Sequence, residues 1–203
     1  MLNIVFNLKK VSKDRKRLDL ITKLLFLLFQ IRLRYKEKRK DYGIEIFEYF
    51  YLPWRTDENF NKIYEKVSDF TLNPKSRLYT HYNFSKKFLI ENTAFIEVGC
   101  WNGGVSGLIS MANTEKNIDY ILCDTFSGVK NASENDSFFK NNEYSDASID
   151  NIKKLETIAN QKYRIVEGIF PNSISDEDIK YKISYAHIDV DTYISAKESF
   201  SLL

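Results

Sequence analysis

Apolar residues recur along this chain with two periods that take turns, one of a strand and one of a helix. Near the middle, Phe95-Ile96-Glu97-Val98 is an apolar, β-branched run with one charge near its carboxyl end, which predicts a buried strand. Gly99, Gly103 and Gly104 follow, and then Val105, Leu108, Ile109 and Ala112 fall at helical spacing. Ile118–Asp124 predicts a second strand and the polar residues 125–145 a long connection. Ile149, Ile152 and Leu155 predict a helix over 146–160, with a third strand over 163–168 and a fourth over 183–189. Upstream, Phe60, Ile63, Tyr64 and Val67 share one side of a helix over 57–70, Asn73-Pro74 is a stop, and helical periodicity resumes over 76–89. Residues 42–51 are aromatic and ambiguous, and Leu20, Leu24, Leu27 and Ile31 mark an amphipathic helix over 18–34. Strands alternating with helices predict a parallel sheet whose ligand lies outside the carboxyl ends of the strands, at the switch point.

The glycine turn is the first candidate for chemistry. Its spacing, Glu97-x-Gly99-x-x-x-Gly103-Gly104, departs from the Gly-x-Gly-x-x-Gly that supports a dinucleotide pyrophosphate. A carboxylate beside glycines suits a cationic group, and S-adenosylmethionine carries both an ammonium and a sulfonium; the plain alternative is a tight crossover. Asp124, 27 positions after Glu97 at the end of the second strand, can accept both hydroxyls of a ribose or simply cap a turn. Gly168 and Phe170 are expected over the same crevice, and so is Asp189. His81 and His187 stand 106 positions apart and read as packed side chains rather than ligands. No histidine is placed by sequence to activate Ser106, and Tyr193 either lines an acceptor site or packs at a helix start.

Composition narrows the setting. A length of 203 residues with 43% hydrophobic and 15% aromatic content suits one domain with an extension, divided here into a basic helical segment, 1–55, and a domain, 56–203. Cys100 and Cys123 cannot make a disulfide framework or a zinc site alone; buried reduced thiols and a cytoplasmic setting are expected. The formal charge of +2 hides an asymmetry: residues 1–40 hold 13 Lys or Arg against 3 acids, a net of +10, which leaves −8 for the rest. Such a segment can pack on the domain or a second subunit, lie on an anionic membrane surface, or bind RNA weakly; no specific nucleic-acid partner is expected. Lys23, Gln30, Arg32 and Arg34 keep its apolar run short of the roughly 20 residues a span requires, and no signal-peptide cleavage site follows.

Several of these stretches resemble, in order, the macrocin O-methyltransferase (TylF and MycF type) family. The match rests on Pro53-Trp54-Arg55, Thr71-Leu72, Arg77-Leu78-Tyr79, the run from Phe95 to Gly104, Cys123-Asp124-Thr125-Phe126-Ser127-Gly128, Gly168-Ile169-Phe170 and Ile188-Asp189-Val190-Asp191-Thr192-Tyr193. The resemblance implies an α/β, Rossmann-like class I methyltransferase that uses S-adenosyl-L-methionine and Mg²⁺ to methylate a sugar hydroxyl on a small-molecule or saccharide acceptor. It implies that Glu97, Gly99, Cys100, Trp101, Gly103, Gly104 and Ser106 hold the methionine part of the cofactor. Asp124 and Thr125 would then hold the ribose, and Gly168, Ile169 and Phe170 surround the adenine. Asp189 would bind the metal, with Asp189 or Asp191 as base. Relatives continue with further strands and an acidic pair, so a carboxyl-terminal truncation, an exposed last strand and homo-oligomer formation are expected. Two other readings remain open: a metal-dependent glycosyltransferase built on Asp189-x-Asp191, and a non-catalytic module that binds cofactor or a partner.

Overall fold

The computed structural model describes residues 52–136, 140–175, 177–178 and 182–202, within one compact unit that runs from Tyr51 to Leu203. The helix expected over 18–34, the aromatic stretch 42–51 and the basic extension up to residue 51 lie outside the described residues. Among the described residues no helix is long and apolar enough to cross a membrane.

Among the described residues, four parallel strands form the sheet: β1 (Thr93–Val98), β2 (Ile118–Asp124), β3 (Arg164–Glu167) and β4 (Ile183–Ile188), in the order β3-β2-β1-β4. The chain winds outward from β1 to β3 and then returns to the other side of β1. The switch point therefore lies between β1 and β4, where Glu97 stands opposite His187 and Val98 opposite Ile188. Every residue of β1 is buried, Glu97 included, as its largely apolar run predicts. The fourth strand, which reads as apolar, is mostly half-buried: among the described residues it pairs with β1 alone and forms an edge of the sheet, the exposed position expected of the last strand.

Side chains alternate across the strands and sort into two cores. Phe95, Tyr120 and Leu122 face one side, where the helices α1 (Glu58–Val67), α2 (Lys75–Phe88), α3 (Gly104–Ala112) and α4 (Ile149–Ala159) add Phe60, Leu78, Leu108, Ile109, Ile152 and Leu155. Ala94, Ile96, Val98, Ile121 and Cys123 face the other side with Val166 and Phe170. A last helix, α5 (Tyr193–Leu202), starts where Tyr193 marks a helix start in the sequence.

Helix ends follow local chemistry. Asp57 caps α1 by accepting the Phe60 N–H at 2.9 Å, and the expected helix over 57–70 tightens to a 3-10 turn at Ser68–Phe70. Ser148 caps α4, and Asn160 ends it in the left-handed region at φ 51°. Gly103, at φ 80°, turns the chain into α3. Cys100 and Cys123 are free thiols and buried, as expected, and burial pushes the Cys123 thiol up to about 12.

Candidate active site

The turn after β1 brings backbone and carboxylates together. Gly99, at φ 83°, lets the end of β1 approach β4 so closely that a Cβ there would lie 2.3 Å from the Asp189 carbonyl oxygen. Glu97, one residue before the strand's last, is buried with its carboxylate under the first turn of α3. Its Oε2 accepts the Ser106 backbone N–H at 3.0 Å and the Ser106 hydroxyl, which satisfies one of the open donors of the helix start. Its Oε1 faces His187 Nδ1 at 3.4 Å.

Asp124 holds the two walls that flank the turn. Its Oδ2 accepts the Trp101 N–H at 2.8 Å and its Oδ1 the Phe126 N–H at 2.9 Å. Trp101 and Phe126 both sit in the left-handed region, at φ 49° and 46°, a conformation that costs a non-glycine residue about 1–3 kcal/mol. The carboxylate offsets that strain. Burial raises the Asp124 pKa, and the backbone donors from Phe126 and Trp101 oppose the rise. The Trp101 indole N–H donates to Asp146 at 3.0 Å, and Asn102 accepts the Ser148 N–H at 2.9 Å, so the turn also anchors the start of α4.

Beyond β4 lies a row of polar residues. Tyr185, His187 and Asp189 alternate onto one face, against Asn73, just before α2, and Arg77 and His81 within it, which repeat every four residues. Asp189 Oδ2 accepts from Asn73 Nδ2 at 3.3 Å and lies 3.6 Å from the Arg77 guanidinium and 4.0 Å from His187 Nε2. The His81 and His187 rings meet edge-on with centroids 4.2 Å apart, and His81 Nδ1 lies 2.8 Å from the Tyr185 hydroxyl. Burial, and then the charge of His187, lower His81 from 6.5 to about 4. Burial also pulls His187 down, but its hydrogen bond to Glu97 and the charges of Glu97 and Asp189 outweigh that and leave its pKa raised. Asp191 is raised as well, first by burial and then by Asp189, Glu143 and Asp124.

Of these groups, Asn73, Arg77, Glu97, Asp124, Asp189 and Asp191 bound a cleft of about 300 Å³ over the carboxyl ends of β1, β2 and β4. Of the residues singled out in the sequence, Glu97, Gly99, Cys100, Trp101, Asp124, Thr125, Gly168, Ile169, Phe170, Asp189 and Asp191 line it. Gly103, Gly104 and Ser106 do not. Gly103 faces Leu122 and Leu155, Gly104 packs against the Phe70 carbonyl, and Ser106 is fully buried on Glu97. The loop after β2 closes one side: Thr192 donates to the Lys130 carbonyl at 3.2 Å, and Asp136 accepts the Tyr193 N–H at 2.8 Å.

The donor set fits S-adenosylmethionine better than it fits Mg²⁺. Asp124 keeps lone pairs for ribose hydroxyls, Ile169 and Phe170 offer an apolar wall, and carboxylates line the remainder. For a divalent ion, no group of three or more His, Cys, Asp or Glu among the described residues is arranged as a metal site. The oxygen that Asp189 would offer already faces Arg77 and Asn73, so the described residues do not fit the ion expected there.

Sequence reasoning left Asn73, His81 and His187 without a role and gave Arg77 none beyond a motif. The signal was available in the combined spacings: every second residue over 185–189 and every fourth over 73–81. Neither row shows that it meets the other until the sheet order places β4 beside α2.

No known family profile matches the chain, and no curated protein matches it. Solved structures do. The O-methyltransferase NovP is similar with a TM-score of 0.53 at 17% identity, over 66% of this chain and 61% of that one. CalS11, a calicheamicin methyltransferase, is similar with a TM-score of 0.53 at 15% identity, over 80% of this chain and 78% of that one. The fold is the Rossmann-like methyltransferase fold. This chain spans less than two thirds of the NovP chain, and identities at this level speak to the fold alone. In that fold the cleft at the β1/β4 switch point is where a ligand is expected.

Proposed function

We propose that this chain is an S-adenosylmethionine-dependent O-methyltransferase acting on a sugar hydroxyl of a glycoside, polysaccharide or natural product. The observation that carries the proposal is the cleft at the switch point, with Asp124 at one end and the Asp189–Asp191 segment at the other. The macrocin-type motifs supply the sugar hydroxyl. Bound in the cleft, the cofactor supplies an electrophilic methyl on a sulfonium.

Asp124 takes the ribose, and the turn from Gly99 to Trp101 takes the amino-acid end. Asp189, steadied by Arg77 and Asn73, orients the acceptor hydroxyl. Asp191, whose pKa is raised first by burial and then by the charge of Asp189, takes the hydroxyl proton as the oxygen gains the methyl. In-line placement contributes most of the rate, because a sugar hydroxyl is a weak nucleophile near neutral pH.

Calorimetric titration of S-adenosylhomocysteine into the full chain tests the cofactor, and transfer of labelled methyl from S-adenosylmethionine to a panel of glycosides tests the reaction. Micromolar binding with label in a sugar methyl ether supports the proposal. A folded chain that ignores both cofactor forms but binds a sugar nucleotide with Mn²⁺ sinks it in favour of a glycosyltransferase. Cofactor binding without turnover on any glycoside would leave a binding module.

A further inference from the structure

His187 stands beside the cleft, between Glu97 and Asp189, both of which line it. It is the cross-strand neighbour of Glu97 in the β1–β4 register, so both side chains leave the same face of the sheet. Asp189, two residues on, leaves that face too. The imidazole is 9% exposed and the Glu97 carboxylate 2%. One ring nitrogen, Nδ1, lies 3.4 Å from Glu97 Oε1 and the other, Nε2, 4.0 Å from Asp189 Oδ2. His81 packs edge-on against the ring, so the imidazole is held from behind.

We infer that His187 is a positioning residue: donating from Nδ1 to Glu97 and lying against Asp189 through Nε2, it fixes the carboxylate under the cofactor turn relative to the acceptor carboxylate. The inference rests on the methyltransferase reading above. Among the described residues, Glu97 is otherwise held only on its Oε2 side, by Ser106. With the contact on Oε1 gone, the carboxylate turns about its own axis while the backbone pairing of β1 with β4 remains. Two carboxylates from different strands would then depend on the backbone alone for their spacing, and misplacement by about 1 Å is enough to cost roughly a hundredfold in function.

The substitutions His187→Phe and His187→Asn separate positioning from packing. Phenylalanine keeps the ring and its edge contact with His81 but carries no donor. The asparagine amide nitrogen stands where Nδ1 stands, so it can still donate to Glu97. Titration of S-adenosylhomocysteine into the full chain is expected to show affinity reduced about tenfold or more in His187→Phe and largely recovered in His187→Asn. The ¹⁵N spectrum of the wild-type imidazole, taken above its titration, is expected to show the proton on Nδ1, which the Glu97 contact selects.

Equal affinity in wild type and His187→Phe overturns the inference and leaves the methyltransferase reading standing. So does a proton on Nε2, or an asparagine variant as weak as the phenylalanine one. Absence of binding by folded wild type overturns the methyltransferase reading and the inference with it. The ¹⁵N spectrum needs neither ligand nor variant, so a variant that fails to fold does not shield the inference from the result.

Discussion

At the scale of single residues, the two histidines give the sharpest titration test, because the chain has no others. His81, half-buried against His187, titrates at about 4, and His187, with Glu97 and Asp189 facing it, has its pKa raised from the ordinary histidine value. NMR titration, with His81→Gln to assign the signals, is expected to show these two separated steps; two coincident steps near 6.5 would show that the rings do not share this site. The linkage signs are opposite. His81 binds its proton less readily folded than unfolded, so it withdraws stability as pH falls from 6.5 towards 4, by at most about 3 kcal/mol. His187 contributes stability that is fully present below 6.5 and is lost as pH rises through its raised folded value. Asp124 admits an equally local test. Asp124→Asn puts an amide NH₂ where an oxygen now accepts either the Trp101 or the Phe126 N–H, so one left-handed residue loses its anchor. The expected loss is about 1–3 kcal/mol of stability, read by urea unfolding, together with weaker S-adenosylhomocysteine binding.

At the scale of elements, much of the fold was legible because each run carried one period. The β1 run, the helix capped by Asp57 and the helix capped by Ser148 appear within a few residues of where the pattern puts them. The departures have physical causes. Ile183, Ala186 and Ile188 make the strand over 183–189 read as buried, but burial depends on having neighbours on both edges, and among the described residues this strand has one. In the candidate site, the pattern located the glycine turn, Asp124 and Asp189. It did not reveal that Glu97 is spent on Ser106 and His187, because those contacts span 9 and 90 positions. Gly107 shows how the elements support the turn: a Cβ there would meet Leu155 at 2.9 Å, so α4 rests directly on the backbone of α3. Leu155→Ala opens a void beneath Gly103 and Gly107 and is expected to cost about 2–5 kcal/mol in chemical denaturation. A cost below 1 kcal/mol would mean that α4 settles onto the glycines without consequence for the turn.

At the scale of the whole molecule, the cleft is assembled from parts far apart in sequence: the β1 turn, the end of β2, the loop from Gly168 and the segment after β4 all line it. A ligand that fills it touches all of them in the folded state and none in the unfolded chain, so its binding free energy appears as stability. S-adenosylhomocysteine at a hundred times its Kd is expected to add about 2.7 kcal/mol. For a protein of this size that corresponds to a rise in Tm of about 5–11 °C, measured by scanning calorimetry on the full chain. The rise should grow with the logarithm of ligand concentration, which separates binding at this cleft from a salt effect. Asp124→Asn should reduce the rise, because one wall of the cleft is loosened before the ligand arrives, whereas Leu155→Ala should lower the starting Tm and keep most of the increment. If both variants lost the increment equally, the cleft would be responding to global stability rather than to its own lining. If wild type showed no increment at saturating ligand, the chain would have the methyltransferase fold without the cofactor that fold is proposed to hold here.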